Sequence, residues 1–459
     1  GQIGASTDII TGTVRAENGS PIAGAVVEVT SLETNVKRRA RTNAQGKYTL
    51  LFPDGGGEYR VVIRAIGLAP ATIDLRRIAD EDRLVADATL GLTATQLSPV
   101  QVQARQTPRA GQDLPTPGSI ERAITPEQAA RLPVDAADLL NLALLSPQVV
   151  PITATDSSAA GFSVAGQRPD ANAITLDGLS FGTTQVPQEA LRTTRVVTST
   201  YDVSRGQFSG GLISSMTRSG TNTPQGNFGY SLRDDDLVIS GADQSPLSQG
   251  YTQNQFSGGY GRAIVKDRLF AFGSFQLRQR QDLLPSLFNA DGGTLVRFGV
   301  APDSVSRFFT VASSKGIVPG AYFDDKRIQD DLSGLFRLDW LMENGSSLTL
   351  RADLSSNDQD PSRVGTLALP HTGGTQKNWS GGLMATFTSI VGDRFLNELK
   401  AYYSKNTREA RPFVTLPAGR VQVASDLEDG ARAVSTLTFG GNTGLPQDGV
   451  SSTLEITDE

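Results

Sequence analysis

From about Gly226 onward, apolar and polar residues alternate along one segment after another, and the connections between segments are of two kinds. Leu348, Leu350, Ala352 and Leu354 alternate with Thr349, Arg351, Asp353 and Ser355, the period of a strand with two unlike faces. Lys266-Asp267, Glu343-Asn344-Gly345 and Gly392-Asp393 make short turns within strand pairs, whereas long polar stretches, roughly Asp282–Gln329 and Ser356–Lys377, separate the pairs. A soluble β-sandwich shows the same alternation. Short turns at one end with long loops at the other are the pattern of an antiparallel membrane barrel. Phe270, Phe272, Trp340, Trp379, Tyr402 and Tyr403 fall toward strand ends, as interfacial girdles do.

Composition agrees with a turn-rich β architecture: 38% hydrophobic residues, 48 Gly and 23 Pro. No stretch approaches the ~20 consecutive apolar residues of a spanning helix, a limit that does not apply to strands. The net charge of -6 and pI near 5.1 argue against nucleic acid as a partner. The chain has no cysteine, hence neither a disulfide framework nor a thiolate metal site. Its single histidine, His371, lies in a loop-like Pro-His-Thr-Gly-Gly context, and neither a phosphate-binding loop nor a Gly-x-Ser-x-Gly elbow is present. No catalytic residue, cofactor or metal is expected. The acidic groups Asp234-Asp235-Asp236 and Asp324-Asp325 read as solvated loop charge ahead of a calcium site. No signal peptide is visible from Gly1, and the chain is read as a mature form.

Between Ile9 and Leu92 short strands follow one another. Tyr48, Leu50 and Phe52 alternate with Lys47 and Thr49, and Tyr59, Val61 and Ile63 with Glu58, Arg60 and Arg64. Asn18-Gly19-Ser20-Pro21 and Asn43-Ala44-Gln45-Gly46 supply turns, and a small β-sandwich is expected. The run from Thr11 through Gly19-Ser-Pro-Ile-Ala-Gly-Ala-Val-Val-Glu-Val-Thr30 to Thr42-Asn-Ala-Gln-Gly-Lys-Tyr-Thr49 resembles the carboxypeptidase regulatory-like domain. That module also accompanies zinc carboxypeptidases, whose site needs more than one histidine beside a carboxylate. With His371 alone, the peptidase reading fails.

Leu97-Ser-Pro-Val-Gln-Val-Gln-Ala104 is a short alternating strand, followed by a Pro/Gly-rich linker from Pro108 to Pro117. Thr125-Pro126-Glu127-Gln128 is a helix start, and Asp135 to Leu145 places Leu139, Leu142 and Leu145 on one helical face. Arg205-Gly-Gln-Phe-Ser-Gly-Gly-Leu-Ile-Ser-Ser-Met-Thr-Arg-Ser-Gly-Thr-Asn222 combines glycine freedom with a strand and a Ser-Gly turn. Alone it fits a hairpin of any β-rich protein. It also resembles the end of the plug domain of TonB-dependent outer-membrane receptors, where the barrel begins. Gly161-Phe-Ser-Val-Ala-Gly-Gln-Arg-Pro-Asp170, Ile174-Thr-Leu-Asp-Gly-Leu179 and the hairpin Phe256–Phe275 resemble the same receptors. Ala165 stands where most of them carry Arg, a departure that looks like the branch bearing the regulatory-like domain.

The resemblance implies a mainly β chain: an N-terminal β-sandwich over 1–93, a connector over 94–118, a small α+β plug over 119–223, and the first part of an antiparallel transmembrane barrel over 224–459. It further implies active transport across the outer membrane of a Gram-negative cell, with the N-terminal domain in the periplasm and the plug gated by TonB. The partners implied are TonB, outer-membrane lipid and a transported substrate. Val100, Gln101, Val102, Gln103 and Ala104 match the TonB-binding strand, which would act by strand addition. Arg168, Asp177, Gly178, Arg205 and Arg218 are candidate plug or plug–barrel residues. About eight candidate strands precede Glu459, against about 22 in a plugged transporter, so an open sheet from a truncated receptor is expected. The alternative is a surface β-protein or adhesin that binds through its loops and transports nothing.

Overall fold

The computed structural model describes residues 7–52, 57–77, 83–92, 120–124, 128, 139–146, 149–152, 161–164, 166–168, 171–181, 185–199, 210–237, 250–343, 345–391, 395–427 and 432–458. The chain opens with β1 (Asp8–Ala16), β2 (Val26–Ser31), β3 (Lys37–Arg41), β4 (Lys47–Phe52), β5 (Glu58–Arg64), β6 (Ala71–Arg76), β7 (Arg83–Val85) and β8 (Ala88–Leu90). One sheet has β4 and β7 on either side of β1, which also pairs with β8; the other runs β3-β2-β5-β6. Their facing rows, among them Ile10, Val14, Val27, Val29, Tyr48, Leu50, Tyr59, Val61 and Ile63, form one buried core. This is the expected sandwich. Gly12 is required where β1 meets the segment between β7 and β8, because a Cβ there would lie 2.0 Å from the carbonyl oxygen of Ala86.

A mixed unit follows, with β9 (Ile120–Ile124), α1 (Leu139–Ala143), β10 (Val149–Ile152), β11 (Gly161–Val164), β12 (Ala173–Leu176), β13 (Leu179–Ser180), β14 (Leu191–Ser199) and β15 (Leu212–Thr217). Its five-stranded sheet runs β13-β12-β15-β14-β9, with β12 and β15 parallel. Leu139 and Leu142 on α1 are buried and Leu145 packs beside them, as their spacing predicts.

The largest element is an eight-stranded antiparallel sheet. It comprises β16 (Gln225–Asp234), β17 (Thr252–Val265), β18 (Leu269–Leu283), β19 (Lys326–Leu341), β20 (Ser347–Ser362), β21 (Gly374–Val391), β22 (Phe395–Pro412) and β25 (Gln447–Asp458); β23 (Ala418–Asp426) and β24 (Arg432–Gly440) form a hairpin between the last two. The sheet is open, with β16 and β25 as its edges. Burial along β20 inverts the rule for a soluble strand. Leu350 and Leu354 are 40% and 39% exposed, while Thr349 and Arg351 are 6% and 2% exposed. Apolar rows thus face outward and polar rows inward, as in a membrane barrel wall.

Two expectations need correction. The polar stretches 282–329 and 356–377 are shorter as loops than their composition suggests. The ladder between β18 and β19 continues to Leu283↔Lys326, and that between β20 and β21 reaches Ser362↔Gly374. Toward the loop end both faces of a strand meet polar surroundings, so alternation fades while backbone pairing persists. The aromatic set also divides. Trp340, Trp379 and Tyr403 are exposed on the outer face, but Phe270, Phe272 and Tyr402 are buried on the inner one.

At the short-turn end the sandwich docks on the sheet. Phe270 and Leu341 extend its core, and the Lys37 amide donates to the Asp267 carboxylate at 3.0 Å. At the opposite end the long connections pack on each other. Here α2 (Gly292–Arg297) is capped by Asp291, which accepts from the Thr294 amide, and α3 (Pro302–Ser314) starts with Pro at its first position. Leu287, Leu295, Val300, Val305, Leu369 and Leu437 give this cap its own apolar core.

His371 pins the cap, accepting from the Gly440 amide on Nε2 at 2.9 Å. That requires a neutral ring, and burial holds the imidazole below its usual range. A histidine depressed in the folded state leaves stability untouched above the unfolded value of about 6.5. It withdraws stability as pH falls below that value, because the opened form takes the proton more readily. Protection of the Gly440 amide, its exchange rate relative to that of an open chain at the same pH, is therefore expected to fall as pH drops from 7 toward 5. A His371→Gln variant should lose that pH dependence.

Candidate plug–barrel site

The turn between β12 and β13 is two residues, Asp177 and Gly178, with φ of 54° and 85°. Two left-handed residues in succession are the demand of a type I′ hairpin, which Asp-Gly meets well. The turn carries Asp177 against the inner face of the eight-stranded sheet. Its carboxylate accepts from the Thr217 amide at 2.8 Å, from the Thr217 hydroxyl at 2.9 Å and from Arg351 Nη1 at 2.6 Å. Arg337 Nη1 stands 3.9 Å away. The same Arg351 nitrogen donates to the Leu176 carbonyl at 3.0 Å.

Around this pair the sheet supplies a connected polar shell. Arg337 donates to Thr217 and forks onto Asp339 at 2.9–3.0 Å. Asp339 also accepts from Thr349 at 2.7 Å and from Ser219 at 2.6 Å. Asp353 lies 3.5 Å from Arg351 Nε and accepts from the Tyr402 hydroxyl at 3.1 Å. The Arg351 guanidinium also lies over the rings of Phe181 and Tyr402, 5.9 and 5.3 Å from their centroids. Asp177, Arg337, Asp339 and Arg351 are buried and Asp353 is half-buried. Burial by itself would push the Asp177 carboxyl up; Arg351, Arg337 and the Thr217 amide outweigh it and hold it below the usual carboxylate range. Buried charges of this kind persist only when paired and hydrogen-bonded.

The candidate residues are placed unevenly. Asp177 and Gly178 stand at the centre of this network, and Lys400 Nζ would be 3.4 Å from a Cβ at Gly178. Arg218 lies at the same junction, its Nε donating to the Leu191 carbonyl at 3.0 Å within the mixed unit and not to the sheet. Arg168 is exposed. Arg205 and Val100 through Ala104 lie outside the described residues. Sequence reading did not single out Arg337, Asp339, Arg351, Asp353 or Thr217. The available signal was the polar row of β20, whose Arg351 and Asp353 alternate with leucines.

Residues 9–110 match the model of the carboxypeptidase regulatory-like domain family. The chain is similar to the TonB-dependent transporter Oar of Myxococcus xanthus, 24% identical over 439 residues that cover 86% of this chain and 37% of that protein. It therefore spans well under half the length of this relative. Among solved structures, the outer membrane transporter YddB from Escherichia coli aligns with a TM-score of 0.48 and 15% identity over 74% of this chain and 44% of that one. The siderophore receptor PirA from Acinetobacter baumannii aligns with a TM-score of 0.47 and 14% identity over 74% and 48%.

Proposed function

We propose that this chain, a homologue of a TonB-dependent transporter, is the plug-bearing portion of an active transporter of the outer membrane. The observation that carries the reading is the inverted burial of the large sheet, apolar outward and charged inward, with the Asp177 turn ion-paired to that inner face. A wall of this kind is suited to lipid on one side and a polar lumen on the other. The mixed unit then acts as the plug. Transport is a conformational step without covalent chemistry. TonB captures the segment Val100–Ala104 from the periplasm by strand addition, and force on the connector parts Asp177 from Arg351 and Arg337.

The capture step is tested by pulling down the TonB periplasmic domain with a peptide spanning Thr95–Arg105, against a Val102→Pro control. Proline removes a backbone donor and blocks pairing. Binding by the natural peptide and its loss in the control are expected. Equal retention of both peptides, or of neither, would remove strand capture from the mechanism.

A further inference from the structure

Beyond the ion network, the inner face of the sheet carries two matched polar rows toward its long-loop end. Pairing registers place Asn357, Asn378, Arg408 and Gly449 in one row across β20, β21, β22 and β25. Ser355, Ser380, Asn406 and Ser451 form the next. Neighbouring strands are about 4.8 Å apart and the two rows about 6.6 Å apart along each strand. Within the rows Asn378 donates to Asn357 at 3.2 Å, and the Ser355 and Ser380 hydroxyls meet at 2.8 Å. These residues, with Gln185 of the mixed unit, line a cleft of 510 Å³, a volume usual for a ligand site.

The chemistry of the rows narrows what would fit. Among the described residues of the lining, Arg408 is the only ionisable side chain. Nearby Asp331 is held by Arg278 at 2.7 Å and also accepts from Asn357. Asn and Ser each both donate and accept, which suits ligand hydroxyls that do the same. A multiply anionic ligand would find a single cation. An extended peptide is read through pockets for its alternate side chains, and among the described lining residues the two large apolar ones, Trp379 and Val450, both lie on outward rows. Two buried polar atoms in the lining, Asn406 Oδ1 and Arg408 Nε, have no hydrogen-bond partner among the described residues. Such atoms are costly to leave unmet, and both border the cleft.

We infer that this cleft binds a neutral, hydroxyl-rich ligand, an oligosaccharide, with the Asn and Ser rows and Arg408 as its hydrogen-bonding wall. The inference rests on the transport reading only for the ligand's onward passage; binding stands by itself. Arg351, Asp353, Ser355 and Asn357 belong to one inward row of β20, so the cleft and the ion network share a strand.

The test is calorimetric titration of the purified full-length protein in detergent with neutral gluco-, galacto- and manno-oligosaccharides. An uncharged hexapeptide mixture and a ferric catecholate complex serve as competing arms. At least one neutral oligosaccharide is expected to bind, and Asn378→Ala and Asn406→Ala should each weaken it about tenfold, the equivalent of one buried hydrogen bond. Circular dichroism and melting of each variant separate misfolding from lost contacts, and Arg408→Lys gives a third, milder change. Binding of the peptide mixture or the ferric complex alone, binding of nothing, or saccharide binding indifferent to all three folded variants would each overturn the inference. Saccharide binding together with failed capture of the Thr95–Arg105 peptide would instead overturn the energy-coupled transport reading and leave this site standing.

Discussion

Replacing Arg351 by methionine is expected to destabilise the docking of the mixed unit by about 3–5 kcal/mol, the cost of removing one partner from a buried ion pair. The change leaves Asp177 buried with Arg337 3.9 Å away and Thr217 as its remaining contacts. It also removes the guanidinium from between Phe181 and Tyr402. Most of the penalty belongs to the stranded carboxylate rather than to the worth of the pair. The double variant Asp177→Asn with Arg351→Met should therefore be closer to wild type than Arg351→Met alone. Exchange of the Thr217 amide, which donates to Asp177, reports the opening directly. A double variant as unstable as the sum of its singles would refute this coupling. The sign with pH follows from the depressed carboxyl. Its stabilisation is full above the unfolded value of about 3.9 and is lost as pH falls through the lower folded value.

Gly220→Ala should be the second severe change, costing about 1–3 kcal/mol or more as overpacking against parts that cannot yield. A Cβ at Gly220 would lie 2.5 Å from the Ala271 carbonyl oxygen and 2.7 Å from that of Arg262. Both are backbone atoms of β17 and β18, and no side-chain rotation relieves them. From the other side, a Cβ at Gly261 would lie 3.2 Å from the Gly220 Cα. The expected result is that the 218–222 segment lifts from the sheet and Ser219 loses its 2.6 Å bond to Asp339. Melting temperature and proteolysis near residue 220 measure it. Gly365→Ala, where nothing lies within 4 Å, should stay within about 0.5 kcal/mol of wild type. Equal tolerance of both substitutions would contradict the close approach.

These two sites differ in how far the sequence disclosed them. The Asp177-Gly178 turn stands out as backbone chemistry, since its two left-handed residues select Asp-Gly; Ser219-Gly220 reads as a turn in the sequence, but the chain makes no turn at 218–221 and Gly220 is not left-handed. Why Gly220 must be glycine is not local. The atoms that exclude a Cβ come from strands more than forty residues further along the chain. Likewise Arg351 is 174 residues from Asp177.

What the sequence by itself determined is the run of strands, the short and long connections, the sandwich and the tight turns, because period, turn chemistry and backbone freedom act over a few residues. The direction of the alternation was left open, since a soluble strand and a lipid-facing strand have the same period. Only the tertiary structure decided it. The mixed unit occupies the face bearing Arg337, Arg351 and Tyr402, so those charges are buried by partners and the leucines opposite are left outside. Which face is buried depends on what packs against it, and the packing partner here comes from a distant part of the chain.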